Sequence, residues 1–217
     1  MSEIRWNSML GEWVIVAPDR GHRPFQDKDR QCPFCPNQEE TQGNWEVLTL
    51  DNRFAALQPD TILTDIESSL VIGAPAHGYC KVIVESRKHD EQIENMERTQ
   101  LRKVYTEFLR VYNELDQKAG IQYVLQFENR GRSIGVSLNH PHAQVYALPF
   151  IPPRIQRELE QFKKYKQEQG ECLICDAIKN EKKSQERIIN ESENFISLIP
   201  YAARLPYEVH VYPKEHV

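Results

Sequence analysis

The chain repeats itself, and the repeat constrains its fold more than any other feature. Cys32-x-x-Cys35 returns as Cys172-x-x-Cys175. The segment Asp51-Asn52-Arg53-Phe54-Ala55-Ala56-Leu57 returns as Glu193-Asn194-Phe195-Ile196-Ser197-Leu198, and Val82-Ile83-Val84-Glu85-Ser86-Arg87-Lys88-His89 returns as Val209-His210-Val211-Tyr212-Pro213-Lys214-Glu215-His216. An ordered duplication of this kind folds as two copies of one supersecondary unit. In the first copy a helix, a strand and the run His140-Pro141-His142-Ala143-Gln144 follow His89, whereas the second copy stops one residue after His216. The expected architecture is therefore α+β, with one antiparallel sheet per copy and helices on one face. Residues 1–168 form the complete catalytic unit of this scheme. Residues 169–217 form an incomplete second copy, as in a C-terminally truncated two-repeat protein.

Hydrophobic periodicity places the elements. Residues 11–17 read as a strand stopped by Pro18. Trp45 to Leu57 has strand character interrupted at Asp51-Asn52-Arg53, and Tyr79 to Glu85 is a β-branched strand. Asp90 to about Leu115 has helical spacing of Ile93, Met96, Leu101, Val104, Phe108 and Tyr112. Ile121 to Phe127 and His140 to Ala147 are strands, and 154–168 is a charged, exposed helix. On that helix only Glu158 stands out from a solvated face.

Composition narrows the function classes. With 27 basic and 32 acidic side chains the net charge is −5, so no general attraction to nucleic acid or an anionic membrane is expected. No apolar run approaches a membrane span and the first residues lack a signal-peptide core, which predicts a cytoplasmic protein. Five cysteines, an odd count without a secretion signal, argue against a disulfide framework.

The chemistry concentrates in the His140–Gln144 run. On a β-strand His140, His142 and Gln144 point to one face, and Pro141, Ala143 and Val145 to the other. Cys32 and Cys35 with His89 and His140 make a Cys₂His₂ set of the kind that closes around zinc; a redox pair or a plain turn is the alternative at Cys32-x-x-Cys35. His142 is then the free imidazole, able to attack phosphorus if one ring nitrogen is unprotonated and the other is held as a donor. Its alternatives are a further metal ligand or a satisfied core histidine. Gln144 is a candidate donor to a phosphate oxygen. Gly131, Ser133, Gly135 and Ser137 form a loop whose N–H groups can approach phosphate, though most such loops are turns. Arg20 and Arg23 lie in a basic loop that reads equally as a phosphate contact or a solvated segment. His22 and His77 read as surface residues.

These residues, in this order, resemble the galactose-1-phosphate uridylyltransferase family, the two-repeat branch of the histidine-triad superfamily. The resemblance runs from Gly11-Glu12-Trp13-Val14 and Arg20-Gly21-His22-Arg23-Pro24 through Cys32-Pro33-Phe34-Cys35-Pro36. It continues through Asn52-Arg53-Phe54, Phe127-Glu128-Asn129-Arg130-Gly131 and the His-Pro-His run, and reaches Pro200-Tyr201-Ala202-Ala203-Arg204-Leu205-Pro206-Tyr207-Glu208. It implies transfer of UMP from UDP-glucose to galactose 1-phosphate through a uridylyl adduct on His142, assisted by Gln144. A phosphorylase using the same histidine, or an inactive zinc-stabilised nucleotide-binding fold, are the alternatives. The resemblance puts Cys32, Cys35, His89 and His140 on zinc positions. It puts Asn129, Gly135 and Ser137 on phosphate and sugar contacts, and Asn52 near the nucleoside. Arg20 and Arg23 match arginines that reach a neighbouring subunit's site, which implies a homodimer. Glu158 matches a carboxylate that in some members joins three histidines around another metal. Arg53 departs from an acidic ribose contact found in some members, and Leu138-Asn139 from a more usual Asn-Pro.

Overall fold

A computed structural model describes residues 2–18, 31–60, 72–131, 134, 136 and 138–216. The candidate residues Arg20, Arg23, Gly135 and Ser137 lie outside the described residues, as does His22. The chain divides into two compact units, Met1–Pro152 and Pro153–Val217. The boundary thus precedes the charged helix, where 168 was expected. Pro152-Pro153 explains the position: a residue before proline is held extended, while proline itself suits the first turn of a helix.

In the first unit, strands β1 (Glu3–Asn7), β2 (Glu12–Val16) and β4 (Gly73–Pro75) form a sheet of order β2-β1-β4. Strands β3 (Leu48–Asp51), β5 (Tyr79–Val84), β6 (Tyr123–Phe127) and β7 (His142–Leu148) form a second antiparallel sheet of order β3-β5-β7-β6. One sheet per copy was expected; the first unit has two, because β1 pairs with residues 68 to 72 positions away in a register running from Glu3↔Pro75 to Arg5↔Gly73. The β-branched centre of β5 and the alternation of β7 bury both sheet faces. On one face Ile83, Val124, Val145 and Ala147 pack with Val111 and Leu115 of helix α1 (Arg98–Asp116). On the other, Val82 and Val84 pack with Trp45, Phe34 and Leu48.

Gly78 shows how closely β5 approaches β7. Its φ is +140°, and a Cβ there would stand 2.3 Å from the carbonyl oxygen of Ala147 and 3.0 Å from Leu57 Cδ1. Left-handed φ and overlap act together, so Gly78→Ala is expected to destabilise this unit by about 1–3 kcal/mol in urea denaturation.

The second unit contains α2 (Pro153–Gln169), α3 (Leu173–Ser184) and strands β8 (Ile188–Glu191), β9 (Phe195–Leu198) and β10 (His210–Pro213) in the order β10-β9-β8. Ile178, Ile196 and Leu198 are buried. The duplicated Phe54–Leu57 and Phe195–Leu198 segments adopt different structures. The second is a strand, whereas in the first Ala56 and Leu57 are 1% exposed core plugs in a non-strand segment.

Candidate metal centre and histidine site

The turn before β3 holds Cys32 and Cys35. Pro33 and Pro36 bar a helix here, and the Cys35 N–H donates to the Cys32 carbonyl at 3.1 Å. Buried Thr41 fastens the turn: its hydroxyl donates to the Cys35 carbonyl at 2.5 Å, and its own carbonyl accepts the Trp45 indole N–H at 2.9 Å. Asn37 completes the reversal with φ +65°.

His89 and His140 meet these cysteines. One donor atom from each of Cys32, Cys35, His89 and His140 lies within 4.8 Å of the others. Cys35 Sγ is 3.5 Å from His89 Nδ1 and 3.7 Å from His140 Nδ1. The opposite edge of His140 is committed, because its Nε2–H donates to the Ser86 carbonyl at 2.7 Å. That bond fixes the tautomer with the Nδ1 lone pair toward sulfur, the arrangement metal-ligating imidazoles require. Burial pushes the Cys32 thiol up to about 11, with Cys35 adding to the effect. A cation entering this group therefore has to displace a thiol proton. The residues fit a tetrahedral Cys₂His₂ ion. His140 is not on the strand, as the alternation had suggested; β7 begins at His142. Pro141 interrupts pairing, and its carbonyl instead accepts the Glu85 N–H at 3.1 Å.

His142 opens the central strand opposite Val84. Its Nδ1–H donates to the His140 carbonyl at 2.8 Å, which puts the lone pair of the neutral ring on Nε2. Burial lowers its pKa and the carbonyl bond partly offsets this, so the ring is neutral at neutral pH. Gln144 is two residues further, level with Val82 and Phe127. Its Oε1 accepts from the Tyr146 hydroxyl at 3.5 Å, leaving its amide N–H groups to donate.

A hollow of about 220 Å³ lies beside His142, lined also by Asn129, Gly131, Leu138 and Asn139. Asn129 and His142 are therefore brought together. Asn52 is elsewhere: its N–H donates to the Cys80 carbonyl at 3.0 Å, at the far end of β3 from the His142 level. Its Oδ1 accepts the Phe54 N–H in an Asx turn. Arg53 is held at 2.8 Å by both Glu39 and Glu40, behind the cysteine turn. Glu158 pairs with Arg154 at 2.7 Å. In the second unit Cys172, Cys175 and His216 bring three donors within 4.8 Å, Cys172 being the N-cap of α3.

Four features escaped the sequence reading. Phe34 lies against both histidines, with ring centroids 5.1 Å from His142 and 6.2 Å from His140; the aromatic inside C-P-F-C was its one signal. Arg130 is a tether: it pairs with Glu94 at 2.9 Å and Glu128 at 3.4 Å, fixing the segment that carries Asn129. Glu85 is 0% exposed, and both its carboxylate oxygens lack a hydrogen-bond partner among the described residues. Burial pushes it up to about 8, Glu128 adding and Arg130 opposing. His77 is half-buried, donating from Nε2 to the Ala119 carbonyl at 3.1 Å.

An imidazole and a carboxamide on the central strand of an antiparallel sheet, with a four-donor cluster at the strand's entrance, define a histidine-triad-like fold. Residues 1–152 match the N-terminal domain, and residues 158–217 the C-terminal domain, of galactose-1-phosphate uridyl transferase. The chain belongs to that family. It is 35% identical over 218 residues to the galactose-1-phosphate uridylyltransferase of Thermotoga maritima, spanning 100% of this chain and 68% of the relative. It is 30% identical over 237 residues to the ADP-glucose phosphorylase of Arabidopsis thaliana, spanning 99% and 66%. A solved uridylyltransferase superposes with a TM-score of 0.85 at 33% identity, over 99% of this chain and 66% of that one. The crystal structure of the Arabidopsis thaliana phosphorylase with bound ADP-glucose gives 0.73 at 28%, over 100% and 69%. The chain thus spans about two thirds of the length of these relatives.

Proposed function

We propose that the protein is a nucleotidyltransferase that moves UMP from UDP-glucose to galactose 1-phosphate through a covalent adduct on His142. The observation that supports this most directly is the Nδ1–H···O=C bond from His142 to His140 at 2.8 Å. It leaves Nε2 as an unprotonated nucleophile without a separate base. In the first step the Nε2–P bond forms, the bond from the α-phosphorus to the bridging oxygen breaks, and glucose 1-phosphate leaves with that electron pair. In the second, a phosphate oxygen of the hexose 1-phosphate attacks the same phosphorus, the Nε2–P bond breaks with its electron pair returning to Nε2, and UDP-galactose leaves neutral His142. The Gln144 amide donates to a non-bridging oxygen as charge develops. Asn129, Gly135 and Ser137 contact phosphate and sugar, and Asn52 the nucleoside. Arg20 and Arg23 serve the site of a partner chain in a cytoplasmic homodimer. No described helix is long and apolar enough to cross a membrane.

Cys32, Cys35, His89 and His140 hold zinc, which closes the turn; the ion's contribution is rigidity. Cys32→Ser is expected to lose the ion of this cluster and to lower the thermal midpoint, read by elemental analysis and calorimetry. Unchanged metal content would show the assignment to be wrong.

A second reading is supported by the 30% identity to an ADP-glucose phosphorylase: the same histidine carries AMP and inorganic phosphate is the acceptor. Intact mass spectrometry after incubation with UDP-glucose, and separately with ADP-glucose, decides between them. A uridylyl adduct supports the first reading and an adenylyl adduct the second. Absence of both refutes His142 as nucleophile in this chain.

A further inference from the structure

Phe34 sits between the cysteine turn and the histidine strand. One side of its ring meets His142 at 5.1 Å with a 56° tilt, and His140 at 6.2 Å edge-on. It also packs against the Trp45, Val82 and Val84 cluster, whose members are at most 8% exposed. The backbone on both sides is fixed by Pro33, Cys35 and the Thr41 bonds.

A hydrogen bond at Nδ1 pins one atom of the His142 ring. The second side-chain torsion of histidine is broad, so rotation about Cβ–Cγ can still strain that bond open and carry Nε2 through an arc. A nucleophile that swings loses the benefit of a prepared attack geometry. A tilted aromatic ring 5.1 Å away restricts that swing on the side it occupies.

We propose that Phe34 is a positioning residue that holds the His142 imidazole in its attacking orientation and so links order in the cysteine turn to nucleophilic attack. The link to catalysis rests on His142 being the nucleophile; the holding of the ring does not. His140 joins the same linkage, since it meets Phe34, belongs to the four-donor cluster, and offers the carbonyl that His142 binds.

The test uses the full, metal-loaded chain with Phe34→Ala, Phe34→Leu and Phe34→Tyr. In single-turnover adduct formation with UDP-glucose, Phe34→Ala is expected to slow the chemical step by about ten- to a hundredfold. Affinity for UDP-glucose and metal content stay as in the parent chain. Phe34→Tyr, which keeps the ring, restores the rate, and Phe34→Leu lies between. An unchanged rate in Phe34→Ala overturns the proposal, as does a loss confined to affinity. Loss of metal in step with rate also overturns it, since Phe34 would then merely support the turn.

A parent chain that forms no adduct refutes the functional reading instead. The ring-holding claim is then decided by proton NMR of the His142 Nδ1–H. A slowly exchanging signal in the parent and Phe34→Tyr, lost in Phe34→Ala, supports it. The same signal in all variants overturns it.

Discussion

His142→Ala is expected to abolish the nucleotidyl adduct and to lower turnover by at least about a thousandfold, with metal content unchanged. Deleting a nucleophile removes the covalent route, and what survives is only binding and the static field of the site. His140→Ala is the informative contrast. That ring sits at 1% exposure beside the Cys35 sulfur with its Nε2–H bonded to Ser86, so its loss should strip metal and stability together. Adduct mass, elemental content and thermal midpoint on the two variants separate the roles. A nucleotidyl adduct that forms normally in His142→Ala would transfer the nucleophile to another residue.

Glu85 gives the second large effect, on stability rather than rate. Its carboxyl is held at about 8 in the folded chain against 4.5 ordinarily. Between those values the folded chain keeps a proton that the unfolded chain has released. Stability therefore falls as pH rises from about 4.5 to about 8, and the loss levels off above that. For a group with no exposure the full excursion is on the order of 3–5 kcal/mol. Glu128, itself raised by burial, adds in the same sense.

Glu85→Gln removes the titration. The variant should match the parent near pH 5 and exceed it by about 2–3 kcal/mol at pH 8, the gain being trimmed by the carboxamide's own burial. All three tryptophans, Trp6, Trp13 and Trp45, belong to the first unit, so their fluorescence during urea denaturation reports on the unit that contains Glu85. Parallel stability-versus-pH curves for parent and variant would refute the buried-acid account.

Why Glu85 was invisible in the sequence shows where such reading stops. As the polar residue closing a β-branched run, it reads as the strand's exit to solvent. Instead it follows directly on β5 and is buried, near enough to Glu128 and Arg130 to sense both charges. Burial of this kind depends on what covers a position, which local pattern does not contain. The same limit hid the β2-β1-β4 sheet, whose pairing joins distant segments, and the contact of Phe34 with the histidines.

Features with a local cause were legible. β5, β7 and α1 follow from side-chain spacing. The four-donor cluster follows from the types of its residues and their place in the duplication. The sequence separated His140 and His142 by proposed role; it did not give their geometry. The expected shared strand face placed both rings side by side, whereas β7 begins only at His142 and His140 lies ahead of it.

The late start of β7 has a consequence for how this stretch can change. One end of His140 meets the Cys35 sulfur and its carbonyl holds His142, so a single residue, Pro141, sets the span between the candidate ligand and the proposed nucleophile. Lengthening or shortening the chain by one residue at Pro141 would leave both rings intact in composition and disconnect them in space. The hairpin tip at Met9 and Leu10, 97% and 69% exposed, has slack to absorb an insertion; the His-Pro-His link has none.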